Sequence, residues 1–372
     1  MLTTDKETTL DAWRAFVDPD KLSGFMESRG LGSGDIENVT RLGGGTQNIL
    51  LKFNHNDRTY VLRRPPAHLR EHSNETMRRE MRMLEALSTT SVPHPKLLLD
   101  CPDESILGVA FYLMEPIDGF APICSASTIL SGHPNCRRTP INGLPALHRD
   151  SPDIRRRMGL NLIEGITALA DVDYRAVGLE GFGNPDNYLS RQVSRWKSQL
   201  ESYHNLSGWP GPAKIPGVER VAHWLDKHQP SGFDPGIIHG DYHCGNVMFS
   251  QTGPELAAIV DWELTTIGDP LVDLGWLLAT WPENGEAPIK ALELYPFEGY
   301  PSSQDLIEHY RGRTNRNMDY INWDSVLACY KLGIILEGTH ARACAGKAPK
   351  EYGDMLHTST INLFERALKW IN

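Results

Sequence analysis

The chain has 372 residues, and its 37 basic and 47 acidic side chains give a formal net charge of −10 at pH 7. This length is too great for one small core and predicts one large or two medium-sized domains. The acidic balance argues against a general nucleic-acid-binding or membrane-surface protein, because such proteins carry basic patches. We therefore expect neither nucleic acid nor membrane as a partner, and the sequence leaves the oligomeric state open.

The first residues and the distribution of cysteines both favour a cytoplasmic protein. The first residues, MLTTDKETTLDAW, lack the basic and apolar regions of a signal peptide, and no apolar run is long enough to span a bilayer. The six cysteines are scattered without a CxxC pair. Such a distribution is typical of reduced thiols and not of a disulfide framework or a zinc knuckle. We expect a cytoplasmic protein.

The first 115 residues predict a sheet-rich unit. A helical pattern covers residues 7–30, and a second one covers about 73–87. Strand-like runs occur at 36–42, 48–53, 59–63, 96–100 and 110–115. Glycine-rich or polar turns join the first three runs, which predicts an antiparallel meander within a five-stranded sheet.

The predicted secondary structure changes from strands to mainly helices after a segment rich in turn formers. Residues 121–143 have no hydrophobic period and are interpreted as a linker or loop. Helical patterns then follow at 152–170, 186–204, 217–228, 270–281, 303–312, 323–345 and 354–370, interrupted by strand-like runs within 237–262. This order predicts an α+β fold of two lobes: a small N-terminal lobe, residues 1–115, and a larger, mainly helical lobe, residues 116–372.

A glycine run between the first two predicted strands is a candidate phosphate-binding loop. Gly43, Gly44 and Gly45 allow close approach of the backbone and would present amide N–H groups to phosphate oxygens. The run is neither a Walker A loop nor a G-x-G-x-x-G sequence. A plain hairpin explains the same glycines, so this signal is weak without support from other residues.

A second candidate is a pair formed by a strand arginine and a helix glutamate. Arg63 ends the run YVLR, which resembles the V-A-I-K strand that carries the phosphate-pairing lysine of kinases. Glu80 falls within the apolar stripe of helix 73–87 that is formed by Met77, Met81, Leu84 and Leu87. A buried carboxylate needs a partner, and Arg63 is the obvious one. The alternative is an ordinary surface arginine at a strand end.

The stretch HGDYHCGN, residues 239–246, is the candidate catalytic loop. It places Asp241 and Asn246 at the D-x-x-x-x-N spacing of kinases, in which the aspartate accepts the proton of the acceptor hydroxyl and the asparagine binds Mg²⁺. The later run AIVDWE ends a predicted strand at Asp261, where such a site takes a second metal ligand. In GDPLVDLGW, Asp269 is interpreted as a helix cap, and Asp273 is expected to brace the catalytic loop.

The joint motif HGDYHCGNVMF, AIVDWE and TIGDPLVDLGW resembles the aminoglycoside phosphotransferase family, which shares the protein-kinase fold. The runs LGGGTQN, YVLRRPP, RREMRMLEAL and RQVSRWKSQL are similar to its subgroup of small-molecule phosphotransferases. That subgroup includes the kinase-like domains joined to some acyl-CoA dehydrogenases. The resemblance covers roughly residues 10 to 345.

The resemblance implies an ATP-dependent kinase that phosphorylates a hydroxyl of a small molecule, with Mg²⁺ as the metal. It implies that Asp241 is the base and that Asn246 and Asp261 are the Mg²⁺ ligands. It also implies that the backbone around Glu115 and Ile117 faces adenine. The identity of the acceptor stays open, because Glu337, His340 and Arg342 on one of the helices expected near it differ in charge.

Two other functions were weighed against this one. A nucleotide-binding pseudokinase is disfavoured, because Asp241, Asn246 and Asp261 are all retained. A binuclear metallophosphoesterase would use the GDYH sequence around His243, but such an enzyme needs further Asp, Asn and His ligands downstream, as in GNH. The carboxylates that follow here have no histidine beside them, and His309 and His340 lie in helical patterns. His239 is interpreted as a structural residue that bonds nearby backbone, and Trp276 as a core residue.

Overall fold

The computed structural model describes residues 12–42, 48–123 and 144–372. Its first long helix, α1, spans Pro19–Ser28 and follows a single 3₁₀ turn at Ala12–Ala15. The prediction of one helix over 7–30 is therefore wrong at Asp18. The carboxylate of Asp18 accepts hydrogen bonds from the amides of Asp20 and Lys21. A proline also disfavours helical geometry in the residue before it, so the helix starts anew there.

The N-terminal part is built on the predicted sheet. Its strands are β1 (Glu37–Leu42), β2 (Ile49–His55), β3 (Arg58–Arg64), β4 (Leu97–Cys101) and β5 (Phe111–Met114). They lie in the order β1-β2-β3-β5-β4, and every neighbouring pair is antiparallel. The prediction of a five-stranded antiparallel sheet is confirmed.

Helix α2, Ser73–Leu87, packs beside this sheet. The predicted apolar stripe is buried, and Glu80 within it is only 1% exposed. The stripe and Val61 of β3 belong to one apolar cluster that continues to Ile237 in the C-terminal part. Because the same cluster extends through both parts, the strand that carries Arg63 and the candidate catalytic loop rest on shared packing.

The C-terminal part is mainly helical. Its helices are α3 (Ala146–Arg149), α4 (Pro152–Ala170), α5 (Gln192–Ser202), α6 (Val218–Lys227), α7 (Leu271–Thr280), α8 (Ser303–Arg311), α9 (Ile321–Cys344) and α10 (Lys350–Trp370). Two small antiparallel sheets lie among them, formed by β6 (Gly236–Ile238) with β9 (Thr266–Gly268) and by β7 (Val247–Phe249) with β8 (Leu256–Ile259). The predicted α+β class is confirmed. Among the described residues, no helix is both long enough and apolar enough to cross a membrane.

The start of the predicted 121–143 loop is anchored. Phe120 and Phe249 exchange two backbone hydrogen bonds of 2.9 Å each, and Ile123 is buried. Most of the segment, residues 124–143, lies outside the described residues, so its interpretation as a loop stays a prediction. The division of the chain after residue 115 also stays a prediction.

Helices α7 and α9 approach closely at Gly275, and this contact gives a stability prediction. A Cβ atom added at Gly275 would lie 2.6 Å from the backbone carbonyl carbon of Asp324. We expect Gly275→Ala to lower the free energy of unfolding by about 1–3 kcal/mol, because the packed helices must separate. Gly24→Ala is the matched control, since its Cβ would meet no described atom within 4 Å. That change in α1 should raise stability by about 0.5–1 kcal/mol. Urea denaturation measures both, and equal midpoints for the two variants would refute the close contact.

Candidate active site

The loop between β6 and β7 is held by a buried carboxylate of α7. Asp273 accepts hydrogen bonds from the backbone amides of His239, at 2.6 Å, and Gly240, at 2.9 Å. Burial raises the pKa of Asp273, while His239 and these two amide bonds act in the opposite direction. The brace expected from the sequence is present. It fixes the backbone immediately before Asp241.

His239 has the structural role predicted for it. Its ring is fully buried, with Nε2 2.9 Å from the carbonyl oxygen of Val260 and Nδ1 3.3 Å from the amide nitrogen of Asp241. Both nitrogens therefore contact nearby backbone. The ring joins the catalytic loop to the strand end that precedes Asp261.

Asp241 is held by side chains from two directions. Its Oδ2 accepts a hydrogen bond of 2.9 Å from the Asn246 amide nitrogen, and its Oδ1 accepts one of 2.9 Å from the indole nitrogen of Trp276. Burial acts to raise the pKa of Asp241, but the charge interactions with His243, His239 and Lys331 outweigh it, so the pKa is lowered. The carboxylate thus stays ionised and oriented, as a proton acceptor requires.

Sequence reasoning missed two residues of this environment. Trp276 is buried, as its interpretation as a core residue requires, but its indole also orients Asp241. Lys331 of α9 donates to the carbonyl oxygen of Gly240 at 3.3 Å and lies 4.4 Å from the centre of the Trp276 ring. Burial lowers the pKa of Lys331 to about 8. The signal that could have found it is a lysine within the otherwise apolar run SVLACYKLGIIL.

Asp261 follows β8 and lies beside the catalytic loop. The amide of Val260 donates to the backbone carbonyl of Asn246 at 2.9 Å, so the two predicted metal-binding segments are neighbours. Asp261 has a φ of 69°, an uncommon conformation for a residue with a side chain. Its carboxylate is partly exposed and accepts a bond of 2.7 Å from Arg63.

Arg63 links Asp261 to helix α2. Its Nε lies 2.8 Å from Glu80 Oε2, and its Nη2 donates to Glu80 Oε1 at 3.3 Å and to Asp261 Oδ1 at 2.7 Å. Tyr112 donates a hydrogen bond of 2.9 Å to the same glutamate. Burial opposes the guanidinium charge, yet Glu80, Tyr112 and Asp261 raise the pKa of Arg63 above its usual range. The pairing inferred from the apolar stripe is therefore present. Arg64 instead donates to the backbone carbonyls of Phe16 and Pro65.

The structure says less about the other residues predicted to contact the nucleotide. Gly43, Gly44 and Gly45 lie outside the described residues, but Asn48, just after them, donates to Glu263 at 3.1 Å. The carboxylate of Glu115 pairs with Arg58 at 2.6 Å, and its amide donates to Lys96. Ile117 is partly buried beyond the end of β5. The nucleotide-binding roles of these residues stay predictions.

The donors present suit a hard cation. Both hydrogen bonds made by the side chain of Asn246 use its nitrogen, which leaves the amide oxygen for a metal, and Asp261 adds a carboxylate. Oxygen ligands of this kind fit Mg²⁺. His243 does not extend the set toward a binuclear centre, because its Nδ1 accepts from Gly245 and its Nε2 lies 3.3 Å from Asp241.

A family model described as the phosphotransferase enzyme family matches residues 38–122 and 130–306. The chain belongs to this family. As the resemblance predicted, the chain is similar to acyl-CoA dehydrogenase family member 11 from Pongo abelii, with 30% identity over 301 residues. That match covers 79% of this chain and 35% of the relative. The chain thus spans about a third of the relative's length.

Solved structures confirm the fold of this chain. A putative aminoglycoside phosphotransferase from Ralstonia eutropha is 27% identical, with a TM-score of 0.73 over 95% of this chain and 99% of that one. A ternary complex of aminoglycoside phosphotransferase APH(4)-Ia with AMP-PNP and hygromycin B has a TM-score of 0.53 at 13% identity, over 91% and 98% of the two chains. The predicted kinase-like fold is confirmed.

Proposed function

We propose that this phosphotransferase moves the γ-phosphoryl group of ATP to a hydroxyl of a small molecule, with Mg²⁺ as cofactor. The observation that carries the proposal is the setting of Asp241. Its carboxylate is ionised, held by Trp276 and Asn246, and adjacent to the segment that presents Asp261. AMP-PNP, an ATP analogue, and hygromycin B are bound by a protein of the same fold.

The nucleotide side of the site is assigned to Arg63 and its partners. Glu80 and Tyr112 fix the guanidinium, which would contact the phosphates as the strand cation of kinases does. The backbone of Gly43 to Gly45 would cover the phosphates, and that of Glu115 and Ile117 would face adenine. Asn246 and Asp261 would hold Mg²⁺. The bound ion supplies positive charge that neutralises the transferring phosphoryl group.

The acceptor side is assigned to Asp241. As the acceptor oxygen forms its bond to the γ-phosphorus, the bond from that phosphorus to the β–γ bridging oxygen breaks and ADP leaves. The hydroxyl proton passes to the Asp241 carboxylate. Trp276, Asn246 and the brace from Asp273 hold that carboxylate still, so that catalysis rests on positioning.

An acceptor screen tests this proposal and separates it from a pseudokinase. ADP release is measured with Mg·ATP and a panel of hydroxylated metabolites that includes amino sugars and hydroxyacyl thioesters. We expect at least one acceptor to raise ADP release well above the rate without acceptor, and the Asp241→Asn variant to lose that increase. If no acceptor raised the rate of a chain that binds Mg·ATP, the pseudokinase would be the better assignment.

The low pKa of Lys331 gives a pH prediction. With a pKa of about 8, Lys331 is charged at neutral pH and loses its proton as pH rises. The loss weakens the charge-assisted hydrogen bond that Lys331 donates to the carbonyl oxygen of Gly240, directly before Asp241, so kcat/KM should fall as pH rises through about 8. Lys331→Met should lower the neutral kcat/KM about tenfold, equivalent to about 1.4 kcal/mol, and should lack this alkaline limb.

Lys227→Met, at an exposed position of α6, is the control and should keep the wild-type profile. The profiles are measured as kcat/KM against pH for the three proteins with one acceptor. If kcat/KM of Lys331→Met still fell as pH rises through about 8, the titrating group would be another residue.

A further inference from the structure

A group of side chains of the types that ligate metals lies between α9 and α10, apart from the residues assigned to nucleotide and Mg²⁺. Within the described ranges, Glu337, His340 and His357 form the one set of three or more His, Cys, Asp or Glu side chains whose ligand atoms all lie within 4.8 Å of one another. Glu337 and His340 are three residues apart on α9, so they share one helix face. His357 meets them from α10.

Glu337 is the buried member of this set. The residue is 0% exposed, and its Oε1 accepts a hydrogen bond of 2.7 Å from the Trp209 indole, while its Oε2 lies 2.7 Å from His357 Nδ1. A carboxylate at this depth needs a compensating positive charge or complete hydrogen bonding. The Trp209 bond orients the carboxylate in the way that outer hydrogen bonds orient metal ligands.

One ring nitrogen of His340 has no hydrogen-bond partner among the described residues. The residue is 8% exposed, and its Nδ1 is buried and makes no hydrogen bond with the residues that the structure describes. The Nε2 edge is 3.5 Å from Cys344 Sγ, and the closest ion-pair contact of Nδ1 is with Asp354 at 3.8 Å. Buried polar atoms nearly always have a hydrogen-bond partner, whereas Nδ1 is free of donors from the described residues and can serve as a ligand atom.

We propose that Glu337, His340 and His357 bind a divalent transition-metal ion, with Zn²⁺ as the best match. Two imidazoles and one carboxylate suit Zn²⁺, whereas Mg²⁺ prefers oxygen ligands. The His357 side chain is 20% exposed, so water can complete the coordination from that side. The rings of His340 and His357 are stacked with centroids 4.3 Å apart, and His357 already contacts the carboxylate.

Such an ion would join the C-terminal half of α9 to α10. Helix α9 also carries Lys331, which lies beside the catalytic loop. The ion would therefore stabilise the helix pair that supports one wall of the proposed active site. It would do so without taking part in phosphoryl transfer.

Zinc binding to the full chain, stripped of metals with EDTA, tests the proposal. A chromophoric zinc chelator is titrated against wild type, His357→Gln, His340→Gln and two controls. His223→Gln makes the same change at an exposed histidine of α6, and Asp261→Asn alters the proposed Mg²⁺ site. We expect wild type and both controls to bind one Zn²⁺ per chain and to gain thermal stability from it. His357→Gln and His340→Gln should weaken binding by more than about tenfold.

Far-ultraviolet circular dichroism shows which variants fold. Should His340→Gln fail to fold, the partly exposed His357→Gln decides the question. Zinc affinity that is equal in wild type and His357→Gln, or the absence of zinc binding by wild type, would overturn the proposal. Glu337 and His357 would then form a hydrogen-bonded pair only. Loss of the bound Zn²⁺ in Asp261→Asn would place the zinc at the nucleotide site and would likewise overturn the proposal.

Discussion

Asp241→Asn is expected to lower kcat by about two to four orders of magnitude while leaving Mg·ATP binding nearly unchanged. Asparagine has the same shape, and its oxygen can still accept one of the bonds from Trp276 and Asn246. It cannot accept the hydroxyl proton at neutral pH. The loss should therefore appear in turnover and not in nucleotide affinity.

Two further aspartates are the controls for this result. Asp261→Asn should weaken Mg·ATP binding as well as turnover, because it removes a proposed metal ligand and a partner of Arg63. Asp226→Asn, at an exposed position of α6, should change neither. Steady-state kinetics and calorimetric nucleotide titration separate the three patterns. Near-normal turnover in Asp241→Asn would remove the proposed base from the mechanism.

Arg63→Met and Glu80→Gln are each expected to reduce ATP affinity and turnover strongly, and the double variant should be little worse than either one. Both side chains are buried, and removal of one leaves the other without its main charge partner. Breaking a buried pair of this kind typically costs about 3–5 kcal/mol. Because the double variant should be little worse than either single one, the coupling energy of the double-mutant cycle should approach the cost of one single substitution, about 3 kcal/mol, at the upper end of the values found for residues in contact.

The neighbouring arginine provides the matched control. Arg64 is as buried as Arg63, but it donates to backbone carbonyls and makes no ion pair with a carboxylate of the described residues. Arg64→Met and Glu80→Gln should therefore combine additively. ATP affinity and urea unfolding are measured for all variants. Additive effects of Arg63→Met and Glu80→Gln would show that their contact contributes no shared energy.

Local periodicity was sufficient to predict the sheet and helix α2 from the sequence. The position of Glu80 within an apolar stripe also identified its partner, because a buried carboxylate restricts the choice to a nearby cation. The spacing of Asp241, Asn246, Asp261 and Asp273 belongs to short motifs, and the chain brings these motifs together as they imply.

Contacts between distant parts of the chain could not be predicted in this way. Trp276 and Lys331 meet the catalytic loop only because α7 and α9 pack beside it, and no local pattern encodes that packing. The break at Asp18 had a local signal, the Asp-Pro pair, which the longer helical pattern obscured. Likewise, the sequence placed Glu337 and His340 on one helix, but their contact with His357 depends on the packing of α10 against α9.

The transfer of labelled phosphate tests the central claim most directly. Wild type and Asp241→Asn are incubated with a metabolite extract, Mg²⁺ and ATP labelled with ³²P at the γ-phosphoryl group, and the products are separated by chromatography. We expect a labelled small-molecule phosphate monoester in the wild-type reaction that is nearly absent from the Asp241→Asn reaction. Identical product profiles from the two proteins, with the label only in ATP and inorganic phosphate, would contradict it.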